Sequence, residues 1–96
     1  MLRTLKRGGL PPPAIGYEVR DGGRVIAIAD FAFPAQKIAI ETDGYRWHSG
    51  RARWLNDRSR RNRLTILGWR VIHVTWKDLY EHPDDVVESI RRTLMS

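Results

Sequence analysis

The chain contains no cysteine, which excludes a disulfide framework, thiolate catalysis and a thiolate metal site. No apolar run approaches the roughly 20 residues that a membrane span needs. Met1 to Leu10 is basic and lacks the apolar stretch of a secretory signal. Lysine is scarce, with three residues against fourteen arginines. No internal repeat or low-complexity tract is visible, and Leu10-Pro-Pro-Pro13 is the one obvious breaker ahead of the first strand. What remains is enough for a core: 96 residues, 42% of them hydrophobic, with four tryptophans. The expectation is one soluble domain over residues 1–96, intracellular and cytoplasmic, with no membrane association.

The charge is lopsided. Seventeen basic residues against eleven acidic ones leave +6 at pH 7, a balance that favours a polyanionic partner, most often nucleic acid and occasionally a membrane surface. The arginine skew has a bland source as well, because coding-sequence composition alone can produce it. Placement sharpens the reading. Residues 51–63 carry six Arg and one Asp, a local +5, whereas Lys77 to Ser96 carries five acids and three bases, a local −2. One basic segment and an acidic end make a better footprint for a directed polyanion site than evenly spread charge.

Met1–Gly9 predicts a short basic helix ending at Gly8-Gly9. Tyr17–Asp21 and Arg24–Phe33 predict a hairpin, since Gly22-Gly23 takes positive φ without strain. Pro34-Ala35 marks a second turn and Lys37–Asp43 a third strand. Arg51–Leu67 reads as a helix stopped by Gly68. Trp69–Trp76 is apolar on both alternating faces, as a central strand covered on both sides would be. The last helix starts near Pro83, with Asp84 and Asp85 in its first turn and Arg91 and Arg92 in its last, which suits the helix dipole. Val86 or Val87, Ile90 and Leu94 supply its buried stripe. The fold class is therefore α/β, a mixed sheet flanked by helices in the order α–β–β–β–α–β–α. Lys37 to Trp76 should form a right-handed parallel crossover.

Three acids interrupt this apolar framework. Asp30 sits in Val25 to Phe31, and Glu41 and Asp43 end Ile38 to Gly44. Strand periodicity puts Glu41 and Asp43 on one face and Thr42 on the other. A turn that sets Asp30 opposite Glu41 brings all three carboxylates to one end of the hairpin, and a one-residue slip sends Asp30 to the opposite face. Carboxylates in apolar strands repel one another and lose hydration, at several kcal/mol per ion. A hard divalent cation removes both penalties, and Mg²⁺ is commonly held by one or two carboxylates plus phosphate oxygens. The competing readings are pairing of each acid with a nearby Arg, and Asp43-Gly44 as a plain turn.

The stretch from Ala29-Asp30-Phe31 to Ile40-Glu41-Thr42-Asp43-Gly44-Tyr45-Arg46-Trp47-His48 resembles the PD-(D/E)XK nuclease superfamily, and among it the small members related to very-short-patch repair endonucleases. Asp57 and Arg61, Leu64, Gly68-Trp69-Arg70-Val71 and Thr75-Trp76-Lys77-Asp78-Leu79 are similar to that group too, so the likeness covers roughly residues 15–95. It implies a restriction-endonuclease-like αβββαβ core with the acids at one edge of the sheet. It also implies that Asp30 is the metal-binding aspartate, that Glu41 is the acid of the E-x-K motif, and that the Thr42 carbonyl is a further ligand. Asp43 stands where many members carry Lys, although E-x-D-G is the usual form in this subgroup. His48 lies where the repair endonucleases place a catalytic histidine. Relatives generally have a longer first helix, often with an acid facing the site, whereas Met1–Gly9 is short and contains no acid.

These residues give a working assignment. Asp30, Glu41, Asp43 and His48 are the candidate catalytic residues, and Asp30, Glu41 and Thr42 hold Mg²⁺, with Mn²⁺ as a substitute. His48 can accept a proton near neutral pH, and its bland reading is a loop histidine bonded locally. His73 alternates inward and reads as core, and His82, beside Pro83, reads as a helix-start residue; neither shares an obvious site with the acids. Arg46, Arg51, Arg53, Arg58 and Arg61 are candidates for DNA phosphate contacts, since Arg offers phosphate oxygens two donors at once. Arg61 also stands at i, i+4 from Asp57, the spacing of an ordinary helical ion pair. Trp47 and Trp54 are placed to stack on bases, while Trp69 and Trp76 read as core. The favoured function is Mg²⁺-dependent hydrolysis of DNA phosphodiester bonds, in repair or defence. The alternatives are a catalytically degenerate DNA-binding module and an accessory domain of a larger protein.

Overall fold

The computed structural model of the chain describes residues 1–43 and 58–96. Its frame is a four-stranded sheet in the order β1-β2-β3-β4. β1 (Ala14–Asp21) and β2 (Arg24–Phe33) form an antiparallel hairpin around Gly22 and Gly23, both at positive φ. β1 begins three residues earlier than the sequence predicts. A short 3₁₀ turn, Pro34–Gln36, leads into β3 (Ile38–Asp43), which is antiparallel to β2 and parallel to β4 (Arg70–Thr75). The predicted mixed sheet and parallel β3–β4 pairing are both present.

Lys37 explains how the crossover is fastened. It adopts a left-handed conformation, and its carbonyl accepts a hydrogen bond from the Arg70 N–H at 2.9 Å. Its Nζ donates to the Leu67 carbonyl at 2.9 Å. That carbonyl lies just past α2 (Arg58–Ile66), so the entry to β3 is tied to the exit from the helix. The part of the predicted helix before Arg58 lies outside the described residues.

One expectation fails. Trp69–Trp76 reads as a central strand, yet β4 is at the edge of the sheet among the described residues. Its apolar side chains have a different reason. Ile72 and Val74 face a core built from Phe33, Ile38, Ile40, Leu5, Leu79, Val86 and Ile90. Val71 and Trp69 pack with Tyr17 against Ala29, Ala32 and Ala39. An edge strand covered on both faces carries the same sequence pattern as a central one.

Leu64 of α2 is buried against Val19, Ile26 and Ala27. Two helices follow β4. α3 (Trp76–Glu81) is absent from the sequence prediction, although Thr75-x-x-Asp78 is a recognisable capping box. Asp78 N–H donates to Thr75 Oγ1, and the Thr75 N–H donates to the Asp78 carboxylate. These bonds from the Thr75 side chain and backbone hold the Asp78 carboxyl below its ordinary value. α4 (Pro83–Met95) begins at the predicted proline and buries Val86, Val87 and Ile90. Among the described residues no helix is long and apolar enough to cross a membrane.

α1 (Leu2–Arg7) is held against α4 by two contacts at its end. Arg91 Nη2 donates to the Gly8 carbonyl at 2.6 Å. Gly8 itself lies so close to Val87 that a Cβ there would overlap the Val87 Cγ1 methyl. Gly8 has an ordinary helical φ of −77°, so the constraint is steric and not conformational. Gly8→Ala is therefore expected to destabilise the fold by about 1–3 kcal/mol through overpacking. Urea denaturation checks this, and Val87→Ala in the same chain should recover part of the loss.

Candidate active site

The site begins where two strands part. β2 and β3 pair at Phe33↔Ile38, Ala32↔Ala39 and Phe31↔Ile40, while β3 runs on beside β4 as far as Asp43↔Thr75. The β2–β3 pairing thus stops one residue short of Asp30 on β2 and of Glu41 on β3. Beyond it the Asp30 side chain takes over from the backbone ladder. Its Oδ2 accepts hydrogen bonds from the Thr42 backbone N–H at 2.9 Å and from the Thr42 hydroxyl at 3.1 Å. A residue in an extended strand offers its N–H and C=O to the same side, so the Thr42 carbonyl is turned toward Asp30 as well. Asp30 and Glu41 are 4% and 1% exposed, each following a run of mostly buried apolar residues in its strand.

β4 adds a third group. Glu41 and His73 are register partners across the parallel pair, and His73 Nδ1 lies 3.2 Å from Glu41 Oε2. The expectation of a core His73 remote from the acids is thus corrected on both counts. The physical reason is the edge position of β4, which leaves this side chain 37% exposed. The signal was present in the predicted strands. Counted from Lys37 and Trp69, Glu41 and His73 are both the fifth residue, so parallel strands aligned from their starts place them side by side.

Asp30, Glu41 and the Thr42 carbonyl offer only oxygen ligands. That donor set fits a hard cation such as Mg²⁺, which takes one or two carboxylates and completes its shell with water and phosphate oxygens. Among the described residues no group of three or more His, Cys, Asp or Glu side chains is placed to hold a metal ion.

The family model REase_MTES_1575 matches residues 15–94. The chain belongs to this restriction endonuclease-like family. Two curated relatives from Mycobacterium tuberculosis are each 33% identical over 86 residues. They are the uncharacterized proteins MT2308, of strain CDC 1551 / Oshkosh, and Rv2248, of strain ATCC 25618 / H37Rv. Each match covers 90% of this chain and 32% of the relative, so the chain spans about a third of the length of the curated relatives it matches. No solved structure matches. Membership in this family agrees with the nuclease superfamily that the motifs resemble.

The remaining candidates divide by position. Arg46, His48, Arg51 and Arg53, together with Trp47, Trp54 and Asp57, lie outside the described residues, as do the side chains of Asp43 and Arg58. Arg61 is exposed on α2. Arg60 is used structurally, because its Nη1 donates to the Ile26 carbonyl at 2.9 Å and ties α2 to β2. His82 stands between α3 and α4, as expected of a helix-start residue, with Nδ1 3.9 Å from Asp85 Oδ2. Trp69 and Trp76 are half-buried and pack against the core, as predicted.

The double contact from Thr42 generates a prediction. Thr42→Val keeps the side-chain shape and the backbone donor but removes the hydroxyl bond to a buried carboxylate. A hydrogen bond to a charged group is worth about 1.5–3 kcal/mol, so stability should fall by roughly that amount in chemical denaturation. An unchanged midpoint would mean that the hydroxyl does not serve Asp30.

Proposed function

We propose that the chain is a metal-dependent endonuclease that hydrolyses DNA phosphodiester bonds, with residues 1–96 acting as one domain. The observation that carries this reading is the pair of buried carboxylates, Asp30 and Glu41, on adjacent strands where the β2–β3 ladder ends. Membership in a restriction endonuclease-like family supports it. So does the net charge of +6, which suits a polyanionic substrate.

Asp30 and Glu41 would hold Mg²⁺, or Mn²⁺ in its place, with the Thr42 carbonyl as a third oxygen ligand. When bound, such a cation lowers the pKa of a water molecule and neutralises charge on the phosphate. The protein residues do the rest. The Thr42 N–H and hydroxyl fix the Asp30 carboxylate in one orientation before any ligand arrives. His48 removes the proton from the attacking water, and Asp43 is the substitute if His48 does not reach it. Arg46, Arg51, Arg53, Arg58 and Arg61 bind the phosphate backbone and so contribute affinity without sequence preference. The Glu41-Thr42-Asp43-Gly44 motif and His48 align this scheme with the very-short-patch repair endonucleases, and hence with a cytoplasmic role in DNA repair or defence.

A second reading has its own observation. α1 holds no acid, and Asp43 replaces the lysine of many superfamily members. Both favour a catalytically degenerate DNA-binding module or an accessory part of a larger protein.

One experiment separates the two. Wild type and Asp30→Asn are incubated with duplex and single-stranded DNA in Mg²⁺ or Mn²⁺. Wild type should cut, and the variant should cut at least about a hundredfold more slowly, the scale of losing a group that stabilises the transition state directly. Equal cutting by both proteins would remove Asp30 from the site. DNA binding with no cutting by either would establish the binding module.

A further inference from the structure

We infer that His73 is a positioning residue for Glu41, standing against its carboxylate from the neighbouring strand. The inference rests on the reading of Asp30 and Glu41 as the cation site, and it adds a residue from β4 that no sequence motif marks. Glu41 is 1% exposed, and a carboxylate taken out of water needs a donor or a cation beside it. The parallel register makes His73 its neighbour on the next strand, with Nδ1 3.2 Å from Oε2. That separation is a close polar contact between the ring and the carboxylate. Glu41 is thus supported from β4, as Asp30 is supported from within β3 by Thr42. Each proposed ligand has its own orienting partner, and the two partners come from different elements.

The consequence is geometric. A glutamate has three side-chain torsions, and ordering them has an entropic cost whenever a ligand is bound. A ring that already stands against the carboxylate restricts those torsions, so less order remains to be imposed by the ligand. The 37% exposure of the ring means that this arrangement is made at the surface end of the pair. A substitution at His73 therefore disturbs little packing.

The test uses the intact chain without DNA. Mn²⁺ affinity is measured by titration calorimetry for wild type, His73→Ala and His73→Asn. Loss of an orienting partner typically weakens metal binding by about 10- to 100-fold, which is the expectation for His73→Ala. Asn carries an amide nitrogen near the position of Nδ1, so His73→Asn should bind more tightly than His73→Ala. Equal affinity in all three proteins would overturn the role of His73 while leaving the cation site standing. Failure of wild type to bind Mn²⁺ would overturn the cation site and this inference together.

Discussion

Burying a carboxylate costs several kcal/mol unless hydrogen bonds or opposite charge replace the lost water, and this chain buries two on adjacent strands. Asp30 and Glu41 stand just beyond the last paired residues of β2 and β3, Phe31 and Ile40. One carboxylate oxygen of Asp30 accepts both donors of Thr42, so the end of the ladder is closed by a side chain. β3 continues past that point only because β4 supports its other edge through Asp43↔Thr75. Glu41 is thereby carried into the interior beside His73. Remove the parallel pairing, and nothing in the hairpin alone would hold Glu41 there.

The rest of the fold keeps β3 and β4 in register. Lys37 fastens the start of β3 to β4 through the Arg70 N–H and to the end of α2 through the Leu67 carbonyl. On one face, Leu5, Leu79, Val86 and Ile90 pack on Ile38, Ile40 and Val74. On the other, alanines at 29, 32 and 39 leave room for Tyr17 and Trp69, whose ring centroids are 5.7 Å apart. A one-residue slip of β3 would exchange these two sets of side chains between faces. Register is therefore fixed by volume as well as by hydrogen bonds. The site inherits that precision from packing several residues away.

Much of this was legible in the sequence, for reasons that can be stated. Gly22-Gly23 and the alternation around it identify the hairpin, and Pro83 with Asp84 and Asp85 marks the start of α4. Asp30 and Glu41 stood out because acids are rare in runs such as Val25 to Phe31 and Ile38 to Ile40. Other features depended on information that local pattern does not carry. An edge strand covered by helices on one face and by an aromatic pair on the other looks like a central strand, so β4 was misplaced. His73 followed it, read as core when its ring lies at the surface beside Glu41. α3 was overlooked although Thr75 and Asp78 form its capping box, because six residues are too few to show a helical period. The hydrogen bonds from Thr42 to Asp30 span twelve positions and exist only once the strands are paired.

The account stands on Asp30 and Glu41 sharing one cation. Crystals grown with Mn²⁺ and measured at its absorption edge test this without any assay of activity. The prediction is one anomalous peak at about 2.1 Å from a carboxylate oxygen of each residue, the distance a small hard dication requires. No peak at saturating Mn²⁺, or a peak that touches neither side chain, would contradict it.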